Sequence, residues 1–284
     1  MSVDTIGPGG LNYFPCRYAH SKLSFRGPRR SLSEPFVAFL GGTNTYGKFV
    51  ERPFPDLLEN GREIACVNFG CTNAGVDAIA SDPGLLRVSN AALVTVLQIL
   101  SPRNTSNGYY SVHPRRNDRF VRPSNKLQAL YDDVDFSDFN FTKHMLRHLH
   151  QVCPSRFSNV VDELQKNWTV RMAELIDQIP GPCVLLWFSD HQPGQPNDRF
   201  GLDPWFVTPE MIEAIRPEAA AYVEVVASLD ALAAGTEGMI FSELDAPAAQ
   251  QVLGPLAHVE AAEALSPLLS ELTMQEAHRL GRAS

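Results

Sequence analysis

Cysteine is scarce in this sequence, and none of it is spaced for metal or redox chemistry. Five residues occur in 284, namely Cys16, Cys66, Cys71, Cys153 and Cys183, an odd count with no Cys-x-x-Cys pair. That argues against a disulfide framework and against a thiolate zinc site. Cys66 and Cys183 lie inside apolar runs, where buried free thiols are expected. Long hydrophobic stretches are also missing. No window approaches the roughly eighteen apolar residues of a membrane span, so no span is expected. The chain opens Met1-Ser2-Val3-Asp4-Thr5 and turns to Gly and Pro, without a basic segment ahead of an apolar one. Synthesis in the cytoplasm without a secretory leader is expected, and an outside role then needs release with a particle or by lysis. There is no 20–50-residue repeat and no low-complexity tract, which argues against a solenoid.

The charge that is present is uneven. The formal net charge is −8, yet residues 1–126 hold 15 Lys and Arg against 9 Asp and Glu, and residues 127–284 hold 9 against 23. The acidic half argues against broad nucleic-acid binding. The basic half either attracts an anionic ligand such as an acidic polysaccharide or phosphate, or is an ordinary solvated surface.

Residues 1–34 read as an irregular arm, with Gly7-Pro8-Gly9-Gly10 and Gly27-Pro28, that wraps the domain or contacts a partner. Apolar runs then follow at 36–40, 64–69, 93–100 and 183–188, with a fifth at 222–226. Such near-continuous runs suit strands buried on both faces. Helical periodicity separates them. The best case is 155–179, where Phe157, Val160, Val161, Leu164, Trp168, Met172, Leu175, Ile176 and Ile179 recur at steps of three and four, with Ser155 or Ser158 as N-cap. Thr208-Pro209-Glu210 opens another helix. The alternation predicts an α/β domain over 35–227, a parallel sheet covered by helices on both faces. Residues 228–284 are Ala-rich and helical, and Gly254-Pro255 and Ser266-Pro267 are expected to break them into a packed hairpin or an association element.

In a parallel sheet, ligands gather at the C-terminal strand ends. The loops there are Gly41-Gly42-Thr43-Asn44-Thr45-Tyr46-Gly47, Gly70-Cys71-Thr72-Asn73-Ala74-Gly75, Ser101-Pro102-Arg103-Asn104-Thr105-Ser106-Asn107 and Ser189-Asp190-His191. All four are small, polar and rich in hydrogen-bonding groups. They form a ligand site, or they are ordinary turns and caps. A Gly-x-x-x-x-Gly-Lys pattern ends at Gly47-Lys48. It is followed by Phe49, so it lacks the hydroxyl that a P-loop uses for magnesium, and a nucleotide-dependent transferase is a poor fit.

The segment from Tyr109 to Arg122 holds Tyr109, Tyr110, His113, Arg115, Arg116 and Arg119. Guanidinium forks pair with carboxylate, sulfate or phosphate, and aromatic rings stack on sugars, so with Arg103 this is the expected binding patch for an anionic glycan. The alternative is a solvated basic loop facing the acidic half. His144 and His148 share a helix face but have no neighbours at a metal spacing. No metal or cofactor is expected.

The loop order resembles the SGNH hydrolases across roughly residues 36–206. Phe39-Leu40-Gly41-Gly42-Thr43 with Gly47 looks like the family's first block, Gly70 its second, and Asn104 its third-block Asn. The resemblance implies an SGNH/flavodoxin-like fold. If the chain were an esterase or O-acyltransferase on carbohydrate, Thr43 would be the nucleophile, His191 the base with Asp190 beside it, and Gly70, Asn73 and Asn104 the oxyanion or ligand loop. The departures weigh against activity. Gly42 stands for the family Asp, Thr43 for the Ser, and Phe206 for the His of Asp203-x-x-His. Asp190 and His191 are adjacent on an extended chain, which sets their side chains on opposite faces.

Phe39, the RNTSN and HPRRNDRF segments and Gly254-Pro255-Leu256-Ala257-His258, taken in order, resemble an alphaproteobacterial family of about this length. In general look the sequence is also similar to head-spike proteins of Rhodobacter-type gene transfer agents. That resemblance implies a non-catalytic structural protein on the surface of a released phage-like particle. It further implies attachment to capsular polysaccharide, capsid or other particle proteins as partners of the N-terminal arm, and a symmetric homo-oligomer.

Overall fold

Strands that are apolar on both faces are stable only inside a sheet covered on both sides, and the five apolar runs become its strands. A computed structural model describes residues 10–60, 64–195 and 200–281. Seven strands are described: β1 (Phe36–Gly41), β2 (Ala65–Gly70), β3 (Val94–Gln98), β4 (Tyr110–His113), β5 (Arg116–Pro123), β6 (Cys183–Ser189) and β7 (Ala221–Val226). The main sheet runs β2-β1-β3-β6-β7 and is parallel throughout. Counted within that sheet the order is 2-1-3-4-5, the doubly wound arrangement whose crevice lies between its first and third strands. The protein is therefore an α/β fold with a helical C-terminal segment.

The helices are α1 (Thr43–Tyr46), α2 (Phe54–Glu59), α3 (Val76–Ala80), α4 (Pro83–Ser89), α5 (Asn125–Leu130), α6 (Thr142–Val152), α7 (Pro154–Asp177), α8 (Pro209–Ile215), α9 (Leu229–Ala234), α10 (Ala246–Ala249) and α11 (Pro255–Gly281). Alternate strand residues serve opposite faces. Phe36, Ala38, Leu40, Leu185 and Trp187 pack under α7, α8 and the arm. Val37, Phe39, Val94, Val96, Val184 and Leu186 pack under α2 and α11. The long periodic helix is α7, and Trp168 on its inner face also donates its indole N–H to the Leu100 carbonyl at 2.7 Å. Thr208 caps α8, with Pro209 at its first position. No described helix is long and apolar enough to cross a membrane.

Four features bear on the sequence expectations. Of the two readings of the arm, wrapping the domain holds from residue 10 onward. Tyr18, Leu23 and Phe25 are buried in the core, and the Arg26 guanidinium donates to the carbonyls of Tyr46, Gly47 and Glu51. Those groups are spent inside the chain, while residues 1–9, including Gly7-Pro8-Gly9, lie outside the described residues. Second, the β4–β5 hairpin, α5, α6 and the first half of α7 form a third core, which Trp205 and Phe206 from beyond β6 complete. Third, Ser266-Pro267 does not break the last helix; α11 runs unbroken from Pro255 to Gly281. Leu265 and Leu269 flank the proline and are fully buried, so packing outweighs the ~3 kcal/mol that an interior proline costs. Fourth, the chain bends directly after β6, which overrides the strict alternation assumed for Asp190 and His191.

His258 fixes α11 to the sheet. Its ring stacks on Phe54 and meets Phe188 edge-on, and its Nδ1 accepts the Phe54 backbone N–H at 3.2 Å. Burial, aided by the Arg26 charge, pushes its pKa down to about 3. An unfolded histidine titrates near 6.5, so only the unfolded state takes up the proton between these values. The stabilising contribution is complete above pH 6.5 and falls as the pH drops toward 3. Between pH 7 and 4.5 this one group should cost roughly 2–3 kcal/mol of stability. Urea unfolding at both pH values should show His258→Gln losing less stability on acidification than the parent by about that amount; equal losses would contradict it. Because α11 is continuous, Pro267→Ala should raise stability by roughly 1–2 kcal/mol in the same assay, whereas a hinge at Pro267 would leave it unchanged or lower it.

Candidate functional site

The strand order reverses at β1 and β3, so their following loops leave in opposite directions and open a crevice. Its floor is a hydrogen-bonded lattice. The Gln98 side chain at the end of β3 is buried, and its amide oxygen accepts from the Gly42 N–H, the Thr45 N–H and the Thr45 hydroxyl at 3.1, 3.2 and 2.6 Å. Asn68 on β2 donates to the Thr45 carbonyl and accepts from the Gly70 N–H, both at 2.8 Å. A β-carbon at Gly41 would overlap the Thr45 hydroxyl, which explains glycine there.

Thr43 projects above this floor. Its hydroxyl accepts the Asn73 backbone N–H at 2.9 Å and donates to the Asn73 side-chain oxygen at 3.4 Å. Asn73 is left-handed (φ 58°), a conformation that asparagine tolerates better than most residues. Its amide nitrogen donates onward to Asp118 at 3.2 Å, and its carbonyl accepts from Asn104 at 3.4 Å. Burial pushes the Asp118 carboxyl above its usual range. The hairpin carrying Asp118 is anchored by its neighbour Asn117. Fully buried, Asn117 accepts the Gly75 and Ala78 N–H groups and so caps α3.

The other wall is cationic. Arg103 is buried and forms a two-point ion pair with Asp203, through Nε at 2.9 Å and through Nη2. Burial disfavours the charge on Asp203, but the guanidinium beside it holds the carboxyl below its ordinary range. Arg103, Lys143 and Arg147 lie 5.1, 5.4 and 5.6 Å from the centre of the buried Trp205 ring. Between the two walls lies a cavity of about 540 Å³, reached by Thr43, Asn73, Asn104, Asp118, Lys143 and Arg147 among others. That is the size of a small-molecule or saccharide pocket.

The residues expected from the sequence divide into three sets. Thr43, Asn73, Asn104 and Arg103 meet at this cavity. Gly70 does not line it. The Gly70 N–H is already bonded to Asn68, and a β-carbon there would overlap the Tyr46 backbone, so Gly70 serves packing rather than an oxyanion. His191 is also absent from the wall. It is buried beside Trp187, with Nδ1 2.7 Å from Asp190 and 3.0 Å from the Ser189 hydroxyl. The bend after β6 thus lets Asp190 orient His191, contrary to the alternation argument.

The hairpin patch separates in the same way. Tyr109 and Tyr110 are core residues, and Tyr110 donates its hydroxyl to the Arg103 carbonyl, so neither ring offers a face to a sugar. His113 ends β4, and its Nδ1 accepts the N–H groups of Arg115 and Arg116 across the hairpin turn. Arg115, Arg116 and Arg119 are exposed, and Arg119 covers Phe141 at 4.5 Å. Tyrosines at alternate or adjacent strand positions read as a patch only until a third core is found beneath them.

Sequence reasoning missed Gln98, Asn117, Asp118, Lys143, Arg147 and Asp203 as a group. Gln98 carried a signal, a lone amide inside the apolar run LVTVLQIL. Among the described residues no cluster of three or more His, Cys, Asp or Glu side chains is placed to hold a metal. Gln98→Leu would strip the acceptor from three donors at once. It should destabilise the protein by about 2–4 kcal/mol, measured by urea unfolding, with a loss under about 1 kcal/mol contradicting the lattice.

None of the curated proteins compared with the chain matches it. A family model described as "Domain of unknown function (DUF6473)" matches residues 1–273, nearly the whole sequence, and the chain belongs to that family.

Proposed function

We propose that the chain is a non-catalytic binding protein that holds an acidic polysaccharide in the crevice between β1 and β3. The setting is the one its resemblance to head-spike proteins implies, attachment of a phage-like particle to a capsule. One observation carries the reading: the cavity wall has hydroxyl, amide and cationic groups suited to an anionic sugar, while His191, among the described residues the histidine paired to a carboxylate, lies outside that wall, and His144, which lines it, packs edge-on against Phe139. Lys48, Arg103, Lys143 and Arg147 line the cavity against two carboxylates, Asp118 and Asp203. The Thr43 hydroxyl is engaged by Asn73 rather than by an imidazole, and nucleophilic attack needs a base within hydrogen-bond reach. Particle proteins, as partners of the arm, would have to use its exposed residues or residues 1–9, since Tyr18, Leu23, Phe25 and Arg26 are already used internally.

A carbohydrate esterase is the second reading, and the Asp190–His191 contact of 2.7 Å favours it. The two separate experimentally. Calorimetric titration with acidic and matched neutral polysaccharides should show binding of the acidic one only, weakening as salt rises. Thr43→Tyr, which places a ring in the cavity, should weaken it at least about tenfold, the equivalent of 1.4 kcal/mol. Replacing Arg115, Arg116 and Arg119 together by Gln should change it much less. Acetate release from acetylated sugars that disappears in Thr43→Ala and His191→Asn would instead establish the esterase.

A further inference from the structure

Three cations surround Trp205, and the charges do not balance. Asp203 is the carboxylate among them, and both of its oxygens are committed to Arg103. Lys143 donates to the neutral amide oxygen of Gln251 at 2.8 Å, and Arg147 to the backbone carbonyl of Phe200 at 2.7 Å. Among the described residues neither has a carboxylate at ion-pair distance. Both sit on α6, four residues apart and so on one face, next to a guanidinium that is almost wholly buried. Like charges are normally spread apart at a surface, and here three are held together by a rigid indole and a helix.

We infer that Lys143 and Arg147, backed by Arg103 over Trp205, form a subsite for a single oxyanion group, a carboxylate, sulfate or phosphate ester carried by the ligand. The geometry suits it. An ammonium and a guanidinium on successive turns of α6 can each donate to one oxyanion, and arginine adds a planar fork. The low-polarity backing of Trp205 strengthens such bonds relative to open water. Burial and the charges of Arg103 and Arg147 disfavour the Lys143 ammonium more than Asp203 favours it, and an anion would relieve that repulsion. Exposed Phe141 and half-buried Thr43 border the same cavity, so a sugar ring bearing the anion would reach the Thr43–Asn73 side. The acidic-sugar identity of the ligand rests on the binding reading above; the oxyanion subsite does not.

The test uses the full chain, with inorganic sulfate as the first probe. At constant ionic strength, replacing chloride with ~50 mM sulfate should raise the Tm of the parent by about 2–4 °C beyond the general salting effect. The K143Q/R147Q double variant should lose that increment, while Arg122→Gln on the exposed hairpin keeps it. Both replaced side chains reach solvent, and their unliganded Tm values report whether folding survives. Single K143Q and R147Q variants, each losing part of the increment, serve if the double variant is unstable. An equal sulfate increment in parent and variants would overturn the subsite, as would none in the parent. An acidic oligosaccharide is the second probe. The double variant should bind it at least about tenfold more weakly, and neither protein should bind its neutral, carboxyl-reduced counterpart. Equal binding of the acidic ligand by parent and double variant would remove the subsite and leave the polysaccharide reading standing. A sulfate increment lost in the variants, with no polysaccharide bound by the parent, would leave the subsite standing and remove that reading.

Discussion

The amide oxygen of Gln98 accepts three hydrogen bonds where β1 and β3 part, and the site depends on that contact. A doubly wound sheet opens a crevice at this point whatever its sequence. What varies is whether the loops stand still. An acceptor buried among three donors is costly to vacate, because each donor would be left without water or partner. Gln98 therefore locks the first loop, Asn68 locks it from β2, and Thr43 is presented to Asn73 by a backbone that has little freedom. The cationic wall is built on the Arg103–Asp203 pair and on Trp205.

Much of the scaffold was legible because it depends on local sequence. Each of the five runs became a strand of the main sheet, the 155–179 periodicity became α7, and Thr208-Pro209 began α8. Period and capping are properties of neighbouring residues, and a single chain displays them. The loops that line the crevice were also visible, since they follow the apolar runs directly. Thr43, Asn73 and Asn104 were found in that way.

The rest was illegible for physical reasons. Arg103 and Asp203 are separated by a hundred residues, and nothing in either loop announces the other. The stretch after β3 builds a third core, and Tyr109 and Tyr110, which read locally as surface aromatics, lie in it with Leu146, Leu149 and Phe157. Pro267 marks a helix end by local preference, yet Leu265 and Leu269 hold it inside α11. His191 and Asp190 were separated by strand alternation that stops one residue earlier. Tertiary packing thus overrides the local rules, and the cavity's cationic side chains come from α6 and the loops at Arg103 and Lys48 rather than from the hairpin surface.

The binding reading and the oxyanion subsite place the ligand in one cavity, between Thr43 and Asn73 on one side and Lys143 and Arg147 on the other. A crystal structure with an acidic oligosaccharide tests that placement most directly. The account predicts sugar density between β1 and β3, with the acidic group within hydrogen-bond reach of Lys143 and Arg147. Density confined to the hairpin around Arg115, Arg116 and Arg119, with the crevice empty of sugar, would contradict it.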